Sequence, residues 1–355
     1  MTDYKQELQD LIVSVFKEGA SDLHLAAGHH PTIRVSGDLI PIVKKPVLSA
    51  EDTMGLVLEI LNEENKKIFF ETKEVDFSYN PDQDIRFRGN AYFQKGAVGA
   101  SFRLIPAKVR SLEELGLPPQ LADFTEKRQG FFLVVGPIGH GKTTTLAAML
   151  DRINKNRAEH ILTIEDPIEY IFKNDRSIVD QREVRFDTLT FGAAVHSMFR
   201  QDINVAMIGE MRDPDTIATA VTAAETGHLV FSTLHTNSAS QTIDRIIDSF
   251  PPTQQNQIRV QLAGSLLGVF SQRLVPRISG GVIPAFELLI NTTGCANLIR
   301  EGRTSEINII IETGSHEGMV SMNSSLADLV RQGEITTENA YRYSINPKGL
   351  DKLLL

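Results

Sequence analysis

The chain has 355 residues, is 41% hydrophobic and 23% charged, and carries a formal net charge of −9. That is ordinary globular composition with length enough for two domains, each with its own core, and its acidity weighs against a partner gripped through nucleic-acid phosphates. One cysteine, Cys295, excludes an internal disulfide framework and a CxxC-type zinc site, and no apolar run is long enough to span a bilayer.

The N-terminus mixes acids with a lysine and lacks the apolar core of a signal peptide, so a reducing cytosol is the expected home. Tyr4 to Lys17 reads as an amphipathic helix with Leu8, Leu11, Ile12, Val15 and Phe16 on one face. Short alternating runs follow: Ser21 to Leu25, then Thr32 to Val35 turning at Ser36-Gly-Asp38 into Leu39-Ile40 as a hairpin. Ser49 and Asp52 form a capping box ahead of a helix through Leu56 and Ile60. Strands are predicted at Val75–Tyr79, Arg86–Gln94 and Gly99–Ile105. The first 105 residues thus read as a small α+β domain. Pro106 to Arg110 looks like a linker. Ser111 and Glu114 form a second capping box, starting a short helix that Gly116 and Pro118-Pro119 end. The expected division is 1–105, a linker at 106–118, and a second domain at 119–355.

From Gly130 strand and helix alternate. Strands are predicted at Phe131–Val135, His160–Ile164, Val205–Ile208 and His228–Thr233, with helices near 142–154, 190–200 and 213–226. Such alternation means an α/β domain on a mainly parallel sheet, whose ligands bind at the carboxyl ends of the strands. Beyond Gln254 the pattern turns helical at 254–270, 295–301, 323–332 and 337–343, with one strand at Pro284–Leu289. This tail is either part of the second domain or a helical appendage.

The first strand of the alternation runs into Gly136, Pro137, Ile138, Gly139, His140, Gly141, Lys142, Thr143 and Thr144, which fits G-x-x-x-x-G-K-[ST] between a strand and a helix. Glycines let the backbone curl so that several N–H groups face a polyphosphate, and the following helix adds its positive dipole end. Lys142 can reach the β- and γ-phosphates of ATP, and the Thr143 hydroxyl can ligate Mg²⁺. His140 sits at a free position and reads as a loop residue, not a catalytic one.

The second strand ends in Glu165, Asp166 and Glu169, carboxylates that can hold Mg²⁺-bound waters or orient the attacking water. The third ends in Gly209 and Glu210, an apolar strand followed by an acid that could polarise water; Asp213 is read as the cap of the next helix and Arg212 as a partner for a nearby acid. The fourth carries His228 and His235 at opposite ends, with His235 where a γ-phosphate sensor would be needed. Arg86, Arg88 and Arg103 lie on N-terminal strands; a planar, permanently charged fork suits phosphate recognition, and a solvated strand face explains them as well.

These boxes resemble the secretion ATPase superfamily of type II secretion, type IV pili and type IV secretion. The resemblance runs from Ser21-Asp-Leu-His-Leu25 and Arg86-Phe-Arg-Gly-Asn90, through the Walker A loop, Thr163–Tyr170, Ile208–Asp213 and Gly227–Asn237, to Gly318-Met319 and Gly333-Glu-Ile335. The short N-terminal part, the lone cysteine and Ala296-Asn-Leu-Ile-Arg-Glu301 are most similar to the pilus-retraction branch. The resemblance implies a PAS-like N-terminal domain, a RecA-like P-loop ATPase domain with a helical C-terminal part, and a homohexameric ring. It further implies a cytoplasmic enzyme held at the inner membrane by a pilus platform protein, with neither a nucleic-acid partner nor a transmembrane segment. ATP with Mg²⁺ would be hydrolysed with Glu210 as catalytic glutamate, Lys142 as Walker lysine, Glu165 or Asp166 in the outer metal shell, and Arg88 and Arg103 at the phosphates. Rivals are a pilus-extension or secretion ATPase, a translocase of nucleic acid on the same core, and a nucleotide-gated ring component with little hydrolysis. Ile138 and His140 depart from the family's usual G-P-T-G-S-G-K-[ST]-T, as do Asp202–Ala206 and Thr293–Ala296 from its flanking patterns.

Overall fold

The computed structural model describes residues 3–35, 37–82, 85–105, 108–211 and 213–355. The chain divides into two compact units, residues 1–108 with 169–171, and residues 109–168 with 172–355.

The first unit opens on α1 (Tyr4–Lys17), whose Asp3 carboxylate accepts the Gln6 N–H at 3.1 Å. Leu8, Leu11, Ile12 and Val15 are buried as their spacing predicts, whereas Phe16, in the last turn, is 44% exposed. Strands β1 (Asp22–Ala26), β2 (Thr32–Val35) and β3 (Asp38–Pro41) follow. The predicted hairpin is β2–β3, with Val35 opposite Asp38; Ser36 of its turn lies outside the described residues. The Ser49–Asp52 capping box is present, Ser49 Oγ accepting the Asp52 N–H and Asp52 Oδ2 the Ser49 N–H, and it starts α2 (Ala50–Ile60). A helix the sequence did not announce, α3 (Glu63–Thr72), buries Phe69 and little else. Then come β4 (Glu74–Asp82), β5 (Ile85–Gln94) and β6 (Ala97–Ile105). Among the described residues these six strands form one sheet, β3-β2-β1-β6-β5-β4, antiparallel throughout. Leu11, Leu56, Phe69, Phe87 and Phe102 share its core.

In the second unit Ser111 and Glu114 exchange the predicted bonds, at 2.8 and 3.2 Å. The segment nevertheless closes as a turn, correcting the expected short helix. Gly116 turns to φ 65°, and Pro118 and Pro119 have no N–H with which to extend a ladder. Pro106 and Ala107 of the expected linker lie outside the described residues. Helix α4 (Gln120–Thr125) leads into β7 (Gly130–Val135), followed by α5 (Lys142–Asn156), β8 (His160–Glu165), β9 (Ile178–Glu183) and α6 (Phe191–Met198). Next are β10 (Val205–Ile208), α7 (Pro214–Glu225), β11 (Leu229–Leu234), α8 (Ala239–Asp248), α9 (Pro252–Ser265), β12 (Leu266–Pro276) and β13 (Val282–Ile290). The chain ends with α10 (Thr293–Glu301), α11 (Ile307–Thr313), α12 (Met322–Arg331), α13 (Thr337–Tyr343) and α14 (Pro347–Leu354).

The seven strands of this unit order as β13-β12-β7-β11-β10-β8-β9 among the described residues. Every pairing is parallel except β12–β13. Every residue of β7 is buried, because helices cover both faces, and such a strand must read as an unbroken apolar run. Two expectations change here. The helix predicted over 254–270 ends at Ser265, and Leu266–Pro276 is a strand beside β7. The tail therefore belongs to the second unit's sheet and is not an appendage.

Glu287 on β13 is a consequence of that burial. It is 4% exposed and accepts the Ala239 N–H at 2.8 Å. Desolvation pushes its carboxyl up to about 7, against the opposing pull of the Ala239 N–H and of Arg273. The folded state thus binds the extra proton between the ordinary carboxyl range and about 7, so stability is lost as pH rises through that window. Glu287→Gln removes the proton dependence, and its melting temperature should gain on that of the unsubstituted chain between pH 5 and pH 8. Parallel melting curves across that range would show that Glu287 is not buried as described.

Candidate nucleotide site

The site is built where β7 ends. Gly136 leaves the strand at φ 145°, with its N–H on Leu234 O of β11 at 3.3 Å. A Cβ there would stand 2.4 Å from Gln272 O, a backbone atom that cannot swing away. Glycine is required here by both conformation and space. The loop tip is open, with Ile138 82% exposed, and Gly141 caps α5 with no side-chain bond. The first N–H groups of α5 therefore face the loop rather than a capping side chain.

Lys142 starts that helix and is 7% exposed. Its ammonium donates to Gly136 O and Pro137 O, both at 2.9 Å, and lies 3.1 Å from His235 Nδ1. An ammonium has no lone pair, so Nδ1 accepts and the His235 proton sits on Nε2. The structure thus brings together the loop lysine and the histidine at the end of β11. His228, at the other end of that strand, sits with Nδ1 3.1 Å from Ala223 O.

Gly209 and Glu210 follow β10, next to β11 in the sheet. Gly209 N–H donates to Ile164 O at 2.8 Å, and Thr233 Oγ1 donates to Gly209 O at 2.6 Å. Bonds to strands on both sides fix the backbone from which half-buried Glu210 projects, and β11 alone stands between that strand end and the loop strand. Asp213 caps α7 as predicted, accepting the Thr216 N–H at 2.8 Å, while Arg212 lies outside the described residues.

Glu165 is turned inward. It is 4% exposed, and its Oε1 accepts from Thr163 Oγ1 at 2.7 Å and Gln181 Nε2 at 3.3 Å. Asp166 is exposed, 3.9 Å from Arg185. Glu169, the third acid of that loop, groups with the first unit. So do Arg88 and Arg103, which face each other across β5 and β6. Arg103 Nε donates to the buried Asp22 carboxylate at 3.0 Å, with Arg34 3.8 Å from its other oxygen, while Arg88 is exposed. Arg86 donates to Ser78 Oγ at 3.1 Å.

Sequence reasoning missed one partner of the loop, Gln272 on β12. It is 3% exposed, its Nε2 donates to His140 O at 2.9 Å, and its Oε1 accepts from Thr145 Oγ1 at 2.6 Å. One amide therefore ties the loop and the first turn of α5 to β12. No local pattern marks a glutamine more than a hundred residues downstream, and placing β12 as a strand was the only available signal.

A parallel sheet that offers a glycine loop, its lysine, a histidine and an acid from neighbouring strand ends is the architecture of RecA-like P-loop ATPases. Within that class the chain belongs to the family described as Type II/IV secretion system protein, which matches residues 4–350. It is 45% identical over 334 residues to the type IV pilus retractation ATPase PilT of Pseudomonas aeruginosa, covering 94% of this chain and 97% of that protein. A twitching motility protein of Neisseria gonorrhoeae is 45% identical over 321 residues, covering 90% of this chain and 86% of the relative. The crystal structure of the pilus retraction motor PilT with bound ADP superposes with a TM-score of 0.92 at 44% identity, over 97% of this chain and 98% of that one. The chain is thus a mixed α/β protein with a RecA-like ATPase core.

Gly136→Ala should lower the melting temperature and abolish ADP binding, because the new methyl meets Gln272 O. Gly139→Ala, with nothing within 4 Å of its Cβ, carries only the left-handed strain, about 1 kcal/mol. Equal losses of melting temperature for the two variants, in parallel melts, would contradict the close packing of β12 on the loop.

Proposed function

We propose that the chain is an ATP-hydrolysing motor that drives retraction of a type IV pilus. The observation that supports it most is the contact between Lys142 and His235 at adjacent strand ends, in a chain alike over nearly its whole length to a retraction motor. In this reading Gly136–Thr144 wraps the phosphates with backbone N–H groups, and Lys142 exchanges a loop carbonyl for a phosphate oxygen. His235, through Lys142, registers the terminal phosphate. Glu210 orients the attacking water and takes its proton.

The Thr143 hydroxyl, in the first turn of α5, is the side chain that would hold Mg²⁺. A cation held there would supply charge neutralisation at the phosphates. Glu165, already accepting two hydrogen bonds, and exposed Asp166 would act on the waters of that cation from outside. Arg88 and Arg103 approach the phosphates from an N-terminal domain, Arg103 by release from Asp22.

The reading includes an N-terminal domain at 1–105, a linker at 106–118 and an ATPase domain at 119–355. It also includes a homohexamer working in the cytoplasm against an inner-membrane platform protein. No helix among the described residues is long and apolar enough to cross a membrane, so attachment would come through that protein.

Glu210→Gln should bind ADP within about twofold of the unsubstituted chain and release phosphate at least about tenfold more slowly, the lower scale of general-base losses. Near-normal turnover would remove Glu210 from the role. Lys142→Ala should weaken ADP in the same titration, and unchanged affinity would count against the loop assignment. In cells lacking the gene, long pili that never shorten are expected; bald cells would instead indicate an extension motor.

A further inference from the structure

His140 has a contact that a tolerated loop residue does not need. Its Nδ1 accepts the backbone N–H of Leu274 at 2.9 Å, and its carbonyl accepts from Gln272 Nε2 at 2.9 Å. The reason lies in the sheet. β7 pairs with β12 only as far as Val135 opposite Ser271, after which the glycine loop peels away. β12 continues to Pro276, paired with β13 on its other side. The Leu274 N–H would otherwise lack the strand that satisfied its predecessors, and the imidazole takes that strand's place.

We propose that His140 is a positioning residue, whose neutral imidazole extends the β12 ladder past the end of β7 and so holds the phosphate loop in its binding shape. The chemistry is consistent throughout. Nδ1 can accept only when unprotonated, and desolvation, then Arg273 and Lys142, hold this imidazole below its ordinary range. Tyr343 of α13 packs edge-on, ring centroids 6.3 Å apart, and fixes the ring plane. β12 holds α13 as well, through Arg273 Nη1 on Tyr343 O at 3.1 Å. The loop, β12 and the end of α13 are thus one bonded unit, with His140 at its centre.

The inference rests on the nucleotide reading of the loop, and the test separates the two. ADP affinity is measured by calorimetric titration on the full chain carrying His140→Ala, His140→Asn or His140→Gln. Asparagine places an oxygen where Nδ1 stands, and glutamine places one where Nε2 stands. His140→Ala and His140→Gln should bind ADP about tenfold more weakly, the scale of a lost hydrogen bond with an orphaned N–H. His140→Asn should stay within about twofold. Circular-dichroism melts show whether each variant is folded at the titration temperature. Alanine binding as tightly as histidine, or asparagine as weakly as alanine, overturns the positioning role while leaving the loop assignment standing. An unsubstituted chain that binds no ADP overturns both.

Discussion

The site depends on where the Lys142 ammonium finds its acceptors. A charge 7% exposed must be satisfied by lone pairs, and here they include two carbonyls of its own loop and one nitrogen of His235. That requirement fixes the loop's curl from within. It also fixes the tautomer of His235, placing its proton on Nε2. A polyphosphate offers the same ammonium charged oxygens in place of neutral ones, and charge-assisted bonds are the stronger kind. The lysine therefore connects loop shape, strand β11 and ligand charge through a single atom.

The sheet supplies what the lysine cannot. β7 is buried along its length between β12 and β11, so the loop springs from a strand with no freedom to shift register. On one side β12 braces the loop through Gln272 and Leu274. On the other, β11 and β10 carry His235 and Glu210 to the same edge. Chemistry placed on four neighbouring strand ends needs those strands parallel, and parallel strands need the crossover helices that make the whole unit α/β.

Much of this was legible in the residues. The strand–loop–helix around Lys142, the helix cap at Asp213 and the paired bonds of Ser49 and Asp52 follow from local rules, and each stands where those rules put it. Failures came where local rules are silent. Leu266-Leu-Gly-Val-Phe270 follows α9 without a break, and a short apolar run fits a buried strand as well as a helix. Reading it as helix hid β12, and with it Gln272 and the partner of His140. Strand β9 follows two apolar residues, Ile178 and Val179, with four polar ones at a sheet edge, and gave no strong signal. At Ser111 the cap signature was correct and the helix absent, because a cap satisfies donors without lengthening the ladder that Gly116 and two prolines cut short. The acids behave similarly: Glu165 ends an apolar strand, and only the fold shows that Thr163 and Gln181 engage it.

The account turns on the loop gripping a polyphosphate with Glu210 facing the terminal phosphorus. The most direct measurement is a crystal structure of the chain with Mg²⁺ and a non-hydrolysable ATP analogue. The expected result has backbone N–H groups of Gly139–Thr143 on the β-phosphate. The Lys142 ammonium should lie between the β- and γ-phosphates, off at least one loop carbonyl, with a water between Glu210 and the γ-phosphorus. A nucleotide bound elsewhere, with Lys142 still on Gly136 O and Pro137 O, would contradict the account.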